Sequence, residues 1–290
     1  MICRICPRDC GAERTETAGG GVCGQPLLPV AARAMLHQWE EPCLVGEKGA
    51  GTVFFSGCPL RCVFCQNSSI SGGGVGKPVT VQRLREIFRE LVDRGAACLD
   101  LVTPTHFTPA ILEALGDEPW PVPVVWNCGG YEKPETLLLL EGKVQVYLPD
   151  LKYALPGPGK AYSAAEDYFT WAAPAILEMF RQTGPYQMED GLLKRGVLIR
   201  HLMLSGELEN TKRCIDYVAE TFRPGQVLFS LMSQYTPQPG AEGKLRRHVT
   251  RAEYRAAVEY MENCGITDGY TQERTSAREE YTPEFDLRGI

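Results

Sequence analysis

The chain lacks any apolar run near the roughly 18 residues that a membrane-spanning helix needs. It also lacks positive charge in surplus. Its 30 Lys and Arg face 36 Asp and Glu, and the net charge of −6 argues against a general binder of nucleic acid or anionic membrane. The start, MICRICPRDCG, has no apolar core of the kind a secretory signal carries. A cytoplasmic protein is therefore expected, with neither a membrane nor a nucleic-acid partner. No low-complexity segment interrupts the 290 residues, and no repeat stands out beyond a strand–helix alternation. Cysteine, by contrast, is plentiful. Twelve cysteines in a cytoplasmic chain point to metal binding or redox chemistry rather than to disulfides.

Two cysteine sets stand out. The first 45 residues hold Cys3, Cys6, Cys10, Cys23 and Cys43, a glycine run at 19–21 and no long amphipathic pattern, which reads as a small, loop-rich element spanning 1–48. Cys3-x2-Cys6-x3-Cys10, then Cys23 after the glycine turn, offer four thiolates. Four suffice for a closed zinc site or a second iron–sulfur cluster, with the metal supplying folding energy; free thiols are the plain alternative. The second set lies in GCPLRCVFCQN, residues 57–67. Cys43, Cys98, Cys128, Cys214 and Cys264 read as isolated small apolar residues. Cys128 is the exception to test, because it sits at a strand end.

From about residue 49 to 270, short apolar runs alternate with helical patterns. The strands read GTVFFSG, CLDLVT, VPVVWN, VQVYLPD, GVLIRHLML and QVLFSLM. Thr80 is placed to cap a helix whose Leu84, Ile87, Phe88 and Leu91 share one face. Ser163 with Glu166, and Thr250 with Glu253, stand at capping-box spacing, and Pro174 predicts a kink. Six strands alternating with helices imply right-handed βαβ units, and so a partial barrel or an open doubly wound sheet. In both folds the chemistry gathers at the C-terminal ends of the strands.

Cys58-x3-Cys62-x2-Cys65 follows the first of these strands directly. One tight loop can turn three thiolates onto the corners of an iron–sulfur cube, which leaves one iron without a protein ligand. An open coordination position marks a reactive metal centre rather than a structural one. A zinc knuckle completed by a distant Cys or His, or three ordinary thiols, are the alternatives. With Phe64 just before the last cysteine, the loop resembles the signature of radical S-adenosylmethionine enzymes. That resemblance implies a 4Fe-4S cluster whose open iron binds the amino and carboxylate groups of S-adenosylmethionine. Reductive cleavage then yields a 5′-deoxyadenosyl radical.

The likeness extends further. LVTPTHF, VVWNCGGYE, VYLPDLKY, IRHLMLSG and SLMSQYTP, with CPRDCG near the start and EYTPEFD near the end, are similar to the pyruvate formate-lyase activating enzyme-like branch over nearly the whole chain. The resemblance implies an α/β fold, a partial (β/α)6 TIM-type barrel over 49–270, with a Cys-rich metal-binding element at 1–48 and a tail at 271–290 packing on the barrel. It implies that Cys58, Cys62 and Cys65 hold the cluster and that Lys152 works beside them. Asp150 would help bind a monovalent cation near the cosubstrate carboxylate, although a surface salt bridge between Asp150 and Lys152 is the plain alternative. Arg200 would hold the carboxylate, and Phe64, Asn67, Asn127 and Gln234 would line the cosubstrate site, with Tyr235 either a contact or core. Where activating enzymes carry Gly-Gly-Glu, this chain reads Thr103-Pro104-Thr105-His106, so Thr103 and Thr105, by hydroxyl or backbone carbonyl, are the candidates for the methionine amino group, with His106 either a further contact or a satisfied histidine at a helix start. The eight-cysteine insert of many activating enzymes is absent. The implied partner is a glycyl radical enzyme, with a peptide or small metabolite as the alternative substrate and a flavodoxin- or ferredoxin-type reductant. A non-catalytic zinc or iron–sulfur scaffold is the competing reading from another class.

Overall fold

Runs rich in Val, Leu and Phe form strands, and the amphipathic stretches between them form helices. The structure, a computed structural model, describes residues 1–72, 74–271 and 283–290. Among these residues the strands are β1 (Val30–His37), β2 (Ala50–Phe55), β3 (Lys77–Pro78), β4 (Leu99–Val102), β5 (Val124–Cys128), β6 (Val146–Pro149), β7 (Gln187–Glu189), β8 (Leu192–Leu202), β9 (Leu228–Met232) and β10 (Gly269–Thr271). The helices are α1 (Pro42–Val45), α2 (Ser68–Ser71), α3 (Val81–Asp93), α4 (Thr108–Leu115), α5 (Pro134–Leu137), α6 (Pro156–Ser163), α7 (Tyr168–Thr183), α8 (Leu208–Thr221) and α9 (Arg251–Asn263).

The sheet runs β10-β9-β8-β6-β5-β4-β2-β1-β3, with β7 hairpinned onto β8. From β2 through β4, β5, β6, β8 and β9 to β10, every neighbouring pair is parallel and in chain order. Right-handed crossovers between consecutive strands put all their helices on one face, so the sheet curls away from them into an open barrel. The six principal parallel strands make this the expected partial (β/α)6 barrel. Its two faces bury different side chains. Val53, Phe55, Leu101, Trp126, Tyr147 and Ile199 face the helices, while Ala50, Val125, Val146, Leu148, Leu198 and Leu228 fill the interior.

Helix α3 shows the local logic. Thr80 Oγ1 accepts the Arg83 amide at 3.1 Å, and Leu84, Ile87, Phe88 and Leu91 are buried against the sheet. Leu84→Ala would cost about 2–5 kcal/mol by opening a cavity there. The capping box of Thr250 and Glu253 forms at α9. The box expected at Ser163 and Glu166 does not. Ser163 ends α6, Ala164 takes a left-handed turn, and α7 starts afresh at Tyr168.

The N-terminal region also departs from expectation. Residues 30–37, read as part of a loop-rich element, form β1 and pair antiparallel with β2. The alternating burial of VAARAMLH gave no strong strand signal because Ala residues, not β-branched ones, face the sheet. After β1 the chain crosses the barrel's lower mouth, where Cys43 and Leu44 of α1 pack among Ala50, Val146, Leu148 and Leu198. Residues 1–29 dock over the opposite end: Arg8 Nε donates to Pro59 O at 2.7 Å, Thr136 Oγ1 to Ile5 O at 2.6 Å, and buried Arg14 to His106 O at 2.8 Å. Of the expected tail at 271–290, residues 272–282 lie outside the described residues, as does the Glu280–Thr282 part of EYTPEFD. Residues 283–290 run along β1, with Leu287 donating to Ala32 O at 3.1 Å and Asp286 pairing with Arg33 at 2.9 Å. Among the described residues, no helix is long and apolar enough to cross a membrane.

Candidate active site

β2 ends at Phe55, and the chain turns at Gly57 with φ of +80°. A Cβ there would lie 2.4 Å from Gln25 Cγ, so only glycine lets the loop enter beneath the N-terminal element. Arg61, between the first two cysteines, also has positive φ, at 50°. This tight path brings Cys58, Cys62 and Cys65 to one cavity of about 240 Å3 at the C-terminal end of the barrel. Leu60 N points at Cys58 Sγ (3.4 Å) and the Ser163 hydroxyl donates to Cys62 Sγ (2.9 Å). Burial pushes the Cys58 thiol up to about 12, and the neighbouring Cys62 and Cys65 add to the effect. Burial also raises Cys62, opposed by the Lys152 ammonium and the Ser163 hydroxyl. Three crowded sulfurs with N–H and O–H donors aimed at them suit a cationic iron–sulfur group, which would replace their protons.

The other wall of the cavity is a charge network. Asp150, after β6, receives Lys152 Nζ at 2.6 Å and Arg200 Nε at 2.9 Å. Arg200, on β8, also donates to Glu40 Oε1 at 2.9 Å and to Asn127 Oδ1 at 2.6 Å, while Asn127 donates to Glu40 Oε2 at 3.0 Å. Burial would raise the Asp150 carboxyl, yet Arg200 and Lys152 hold it below its ordinary range. Burial opposes the charge on Lys152, but Asp150 and Cys62 hold its pKa above the ordinary value. Gly130 makes the approach possible: with φ of +75°, its missing Cβ would lie 2.1 Å from Asp150 O.

Thr103 is a β-branched residue held at φ of +58°, and it lines the same cavity. Strain of about 1–3 kcal/mol at such a residue persists only where the surroundings impose it. Its N–H is held by Asn127 O at 2.8 Å.

Of the residues singled out by sequence, Phe64, Asn67, Thr103, Asn127, Asp150, Lys152, Arg200 and Gln234 line the cavity with the three cysteines. Thr105 and His106 do not. The Thr105 hydroxyl is turned away to Glu132 Oε1 at 2.5 Å, and His106 Nε2 is bonded to Ser56 O at 2.8 Å. Both follow a turn into a 3-10 helix that rotates their side chains into the core. Burial drives the His106 pKa down to about 4, which keeps the ring neutral. Tyr235 is core, its hydroxyl on Leu245 O at 2.6 Å. His201 points away under α8, between Leu151 O and Thr211. Cys128 does line the cavity, but its strongest charged neighbours are Glu132, Asp150 and Arg200 rather than the three loop thiols.

The N-terminal cysteines differ. Cys3, Cys6 and Cys23 are buried and Cys10 is exposed; burial raises the Cys6 and Cys23 thiols, with Cys23 and Cys3 adding at Cys6, and Cys3 and Cys10 adding at Cys23. Among the described residues, no group of three or more His, Cys, Asp or Glu side chains takes the arrangement that holds a single metal ion.

Sequence reasoning missed Ser163, Glu40 and Glu41. Ser163 reaches Cys62 from 101 residues away, which no local pattern encodes. Glu40 and Glu41 stand before Pro42, where an acidic pair reads as solvated.

A model of a 4Fe-4S single cluster domain matches residues 45–108. That span contains β2, the cysteine loop and Thr103. The uncharacterized protein MJ0674 of Methanocaldococcus jannaschii is 28% identical over 277 residues, covering 91% of this chain and 75% of that protein. Among solved structures, SuiB of Streptococcus suis bound to S-adenosylmethionine aligns with a TM-score of 0.48 at 13% identity, over 75% of this chain and 48% of SuiB. SuiB bound to its precursor peptide SuiA aligns with a TM-score of 0.47 at 14% identity, over 75% and 47%. This chain thus spans about half the length of those solved chains.

Proposed function

We propose that this protein is a radical S-adenosylmethionine enzyme, with Cys58, Cys62 and Cys65 holding a 4Fe-4S cluster. One observation carries the reading: three cysteines of a single loop share a cavity with the Lys152–Asp150–Arg200 network at the C-terminal mouth of a parallel barrel. When bound, the cluster and S-adenosylmethionine supply an electron and a 5′-deoxyadenosyl radical that abstracts hydrogen from a substrate.

The chain's own residues bind, orient and exclude water. Arg200 presents a fixed, always-charged fork, and Lys152 a second cation, to the carboxylate of the cosubstrate. Asp150 keeps both cations charged and in place, and a monovalent cation beside it would share that task. The strained Thr103 turn offers its backbone and hydroxyl to the amino group. Asn127 and Gln234 close the adenosine side, while Phe64, 6% exposed, and Leu60 seal the loop against water. Ser163 steadies the Cys62 sulfur, and hydrogen bonds to cluster sulfurs tune the potential.

The resemblance to activating enzymes supports a glycyl radical enzyme as the partner, with a flavodoxin- or ferredoxin-type reductant. A bounded substrate, a side chain or small molecule, is favoured by one further observation: a second cavity of about 770 Å3 shares Asn67, Val102, Asn127, Arg200, Met232 and Gln234 with the first. We assign Cys3, Cys6, Cys10 and Cys23 to a second zinc or iron–sulfur site.

The test is anaerobic reconstitution with iron and sulfide, followed by dithionite and S-adenosylmethionine. 5′-Deoxyadenosine should accumulate with wild type and not with Cys62→Ala. A colourless or redox-active protein that makes none would leave the scaffold reading. A glycyl radical signal on a partner protein would select the activase reading, and turnover without a protein partner the small-substrate one.

A further inference from the structure

Among the described residues around the two joined cavities, charge counting leaves one carboxylate over. Asp150 is matched by Lys152 and Arg200, and Glu40 by Arg200 and Asn127. Glu41, next along the chain, forms no ion pair among the described residues, although it is only 6% exposed and lines the larger cavity. The Ser230 hydroxyl beside it eases the Glu41 charge, though it makes no hydrogen bond of ordinary geometry. Asp100, behind them, is closed off from the cavity, with one oxygen on Thr52 and the other unpartnered. His37 lines the same chamber, 6% exposed, with Nδ1 unpartnered.

A buried carboxylate without a cation costs several kcal/mol unless it holds a proton or meets a positive ligand. Asp100 has no route to a ligand. Glu41 does, because its chamber opens from the wall that Arg200 shares with the cluster cavity. Arg200 eases the Glu41 carboxylate through space but does not pair with it, its three nitrogens lying on Asp150, Glu40 and Asn127.

We infer that the larger cavity is the substrate chamber and that Glu41 recognises a cationic group, a protonated amine or guanidinium, on the substrate. This rests on the radical S-adenosylmethionine reading and deepens it. The chamber's volume of about 770 Å3 admits a long side chain or a small amine beside a bound nucleotide. Glu40, already neutralised by Arg200, positions Arg200 and leaves the ligand to Glu41.

The probe is butylammonium, with butanol as its neutral isostere, titrated into the reconstituted, unreduced protein with and without saturating S-adenosylmethionine. Binding is read by saturation-transfer NMR. The wild type should prefer the ammonium by about tenfold or more, the worth of a hydrogen bond to a buried charge. Glu41→Gln should erase that preference while still binding butanol, which shows that the chamber is folded, and Glu41→Asp should restore part of it. Equal binding of amine and alcohol to wild type, or a preference retained by Glu41→Gln, would overturn the inference. So would competition between the amine and S-adenosylmethionine, which would assign the carboxylate to the cosubstrate. Absence of 5′-deoxyadenosine in the reconstitution assay strikes the parent reading alone; absence of an ammonium preference in the wild type strikes this one.

Discussion

The two cysteine sets have nearly the same density and opposite settings. Cys58, Cys62 and Cys65 open into a cavity walled by Lys152, Asp150 and Arg200, with N–H and O–H donors on the sulfurs. Cys3, Cys6 and Cys23 are packed in a small element whose cation, Arg14, reaches Cys3 Sγ at 3.5 Å but is otherwise held by the carbonyls of Gln25, Pro26 and His106. The difference teaches that thiol spacing sets what a loop can hold, while the surrounding charge and space set what it can do. The loop cysteines have room beside their sulfurs, and the N-terminal ones are closed in.

The comparison breaks most sharply at the cysteines themselves. Cys62→Ala should abolish 5′-deoxyadenosine formation, whereas Cys6→Ala should leave some product while lowering metal content or thermal stability; equal loss in both, measured on reconstituted protein, would erase the contrast. Next in size is Arg200→Met. Removing one partner from a buried, hydrogen-bonded network costs about 3–5 kcal/mol. S-adenosylmethionine affinity should fall steeply, and a Kd within about threefold of wild type would remove Arg200 from the cosubstrate site.

A pH series probes the interior end of the same network. Burial, with Glu40 and Asp150 adding and Arg200 opposing, lifts the Glu41 carboxyl from its ordinary 4.5 to about 7. The folded state therefore holds this proton more tightly than the unfolded one. Its contribution to stability falls as pH rises from 4.5 to about 7 and is flat beyond. The full effect is about 3 kcal/mol at roughly 1.4 kcal/mol per pH unit. Glu41→Gln should accordingly melt higher than wild type at pH 8 and match it near pH 4. Asp100 and Glu132, both raised by burial, act with the same sign, so part of the slope should survive the substitution. Melting curves that run parallel for both proteins would show that Glu41 carries no such penalty. The smallest effect belongs to Ser163→Ala. Losing one hydroxyl donor to Cys62 is worth about 1 kcal/mol, seen as a more negative cluster potential in a spectroelectrochemical titration with iron content unchanged.

Much of this was legible in one dimension. The βα alternation, the caps at Thr80 and Thr250, and the cysteine loop after β2 are local patterns, and each forms where its residues predict. The resemblance named Asp150 and Arg200 for one site, and the two side chains meet at 2.9 Å. Local pattern failed where a segment's partner lies far along the chain. The strand over Val30–His37 exists because β2 offers an open edge. The expected box at Ser163 gave way to a helix end that delivers its hydroxyl to Cys62. Thr105 and His106 point into the core because the Thr103 turn, held by Asn127, rotates the backbone after it.

The amino-acid order alone determined an α/β chain with three thiolates in one turn, because period and spacing act within a few residues. Only the tertiary structure decided that Arg200 would be held by Asp150, Glu40 and Asn127 while Glu41, among the described residues, met no cation at pairing distance beside its chamber. Charge pairing in a barrel interior depends on strands and loops up to 160 residues apart meeting in a medium that leaves no ion indifferent to its neighbours.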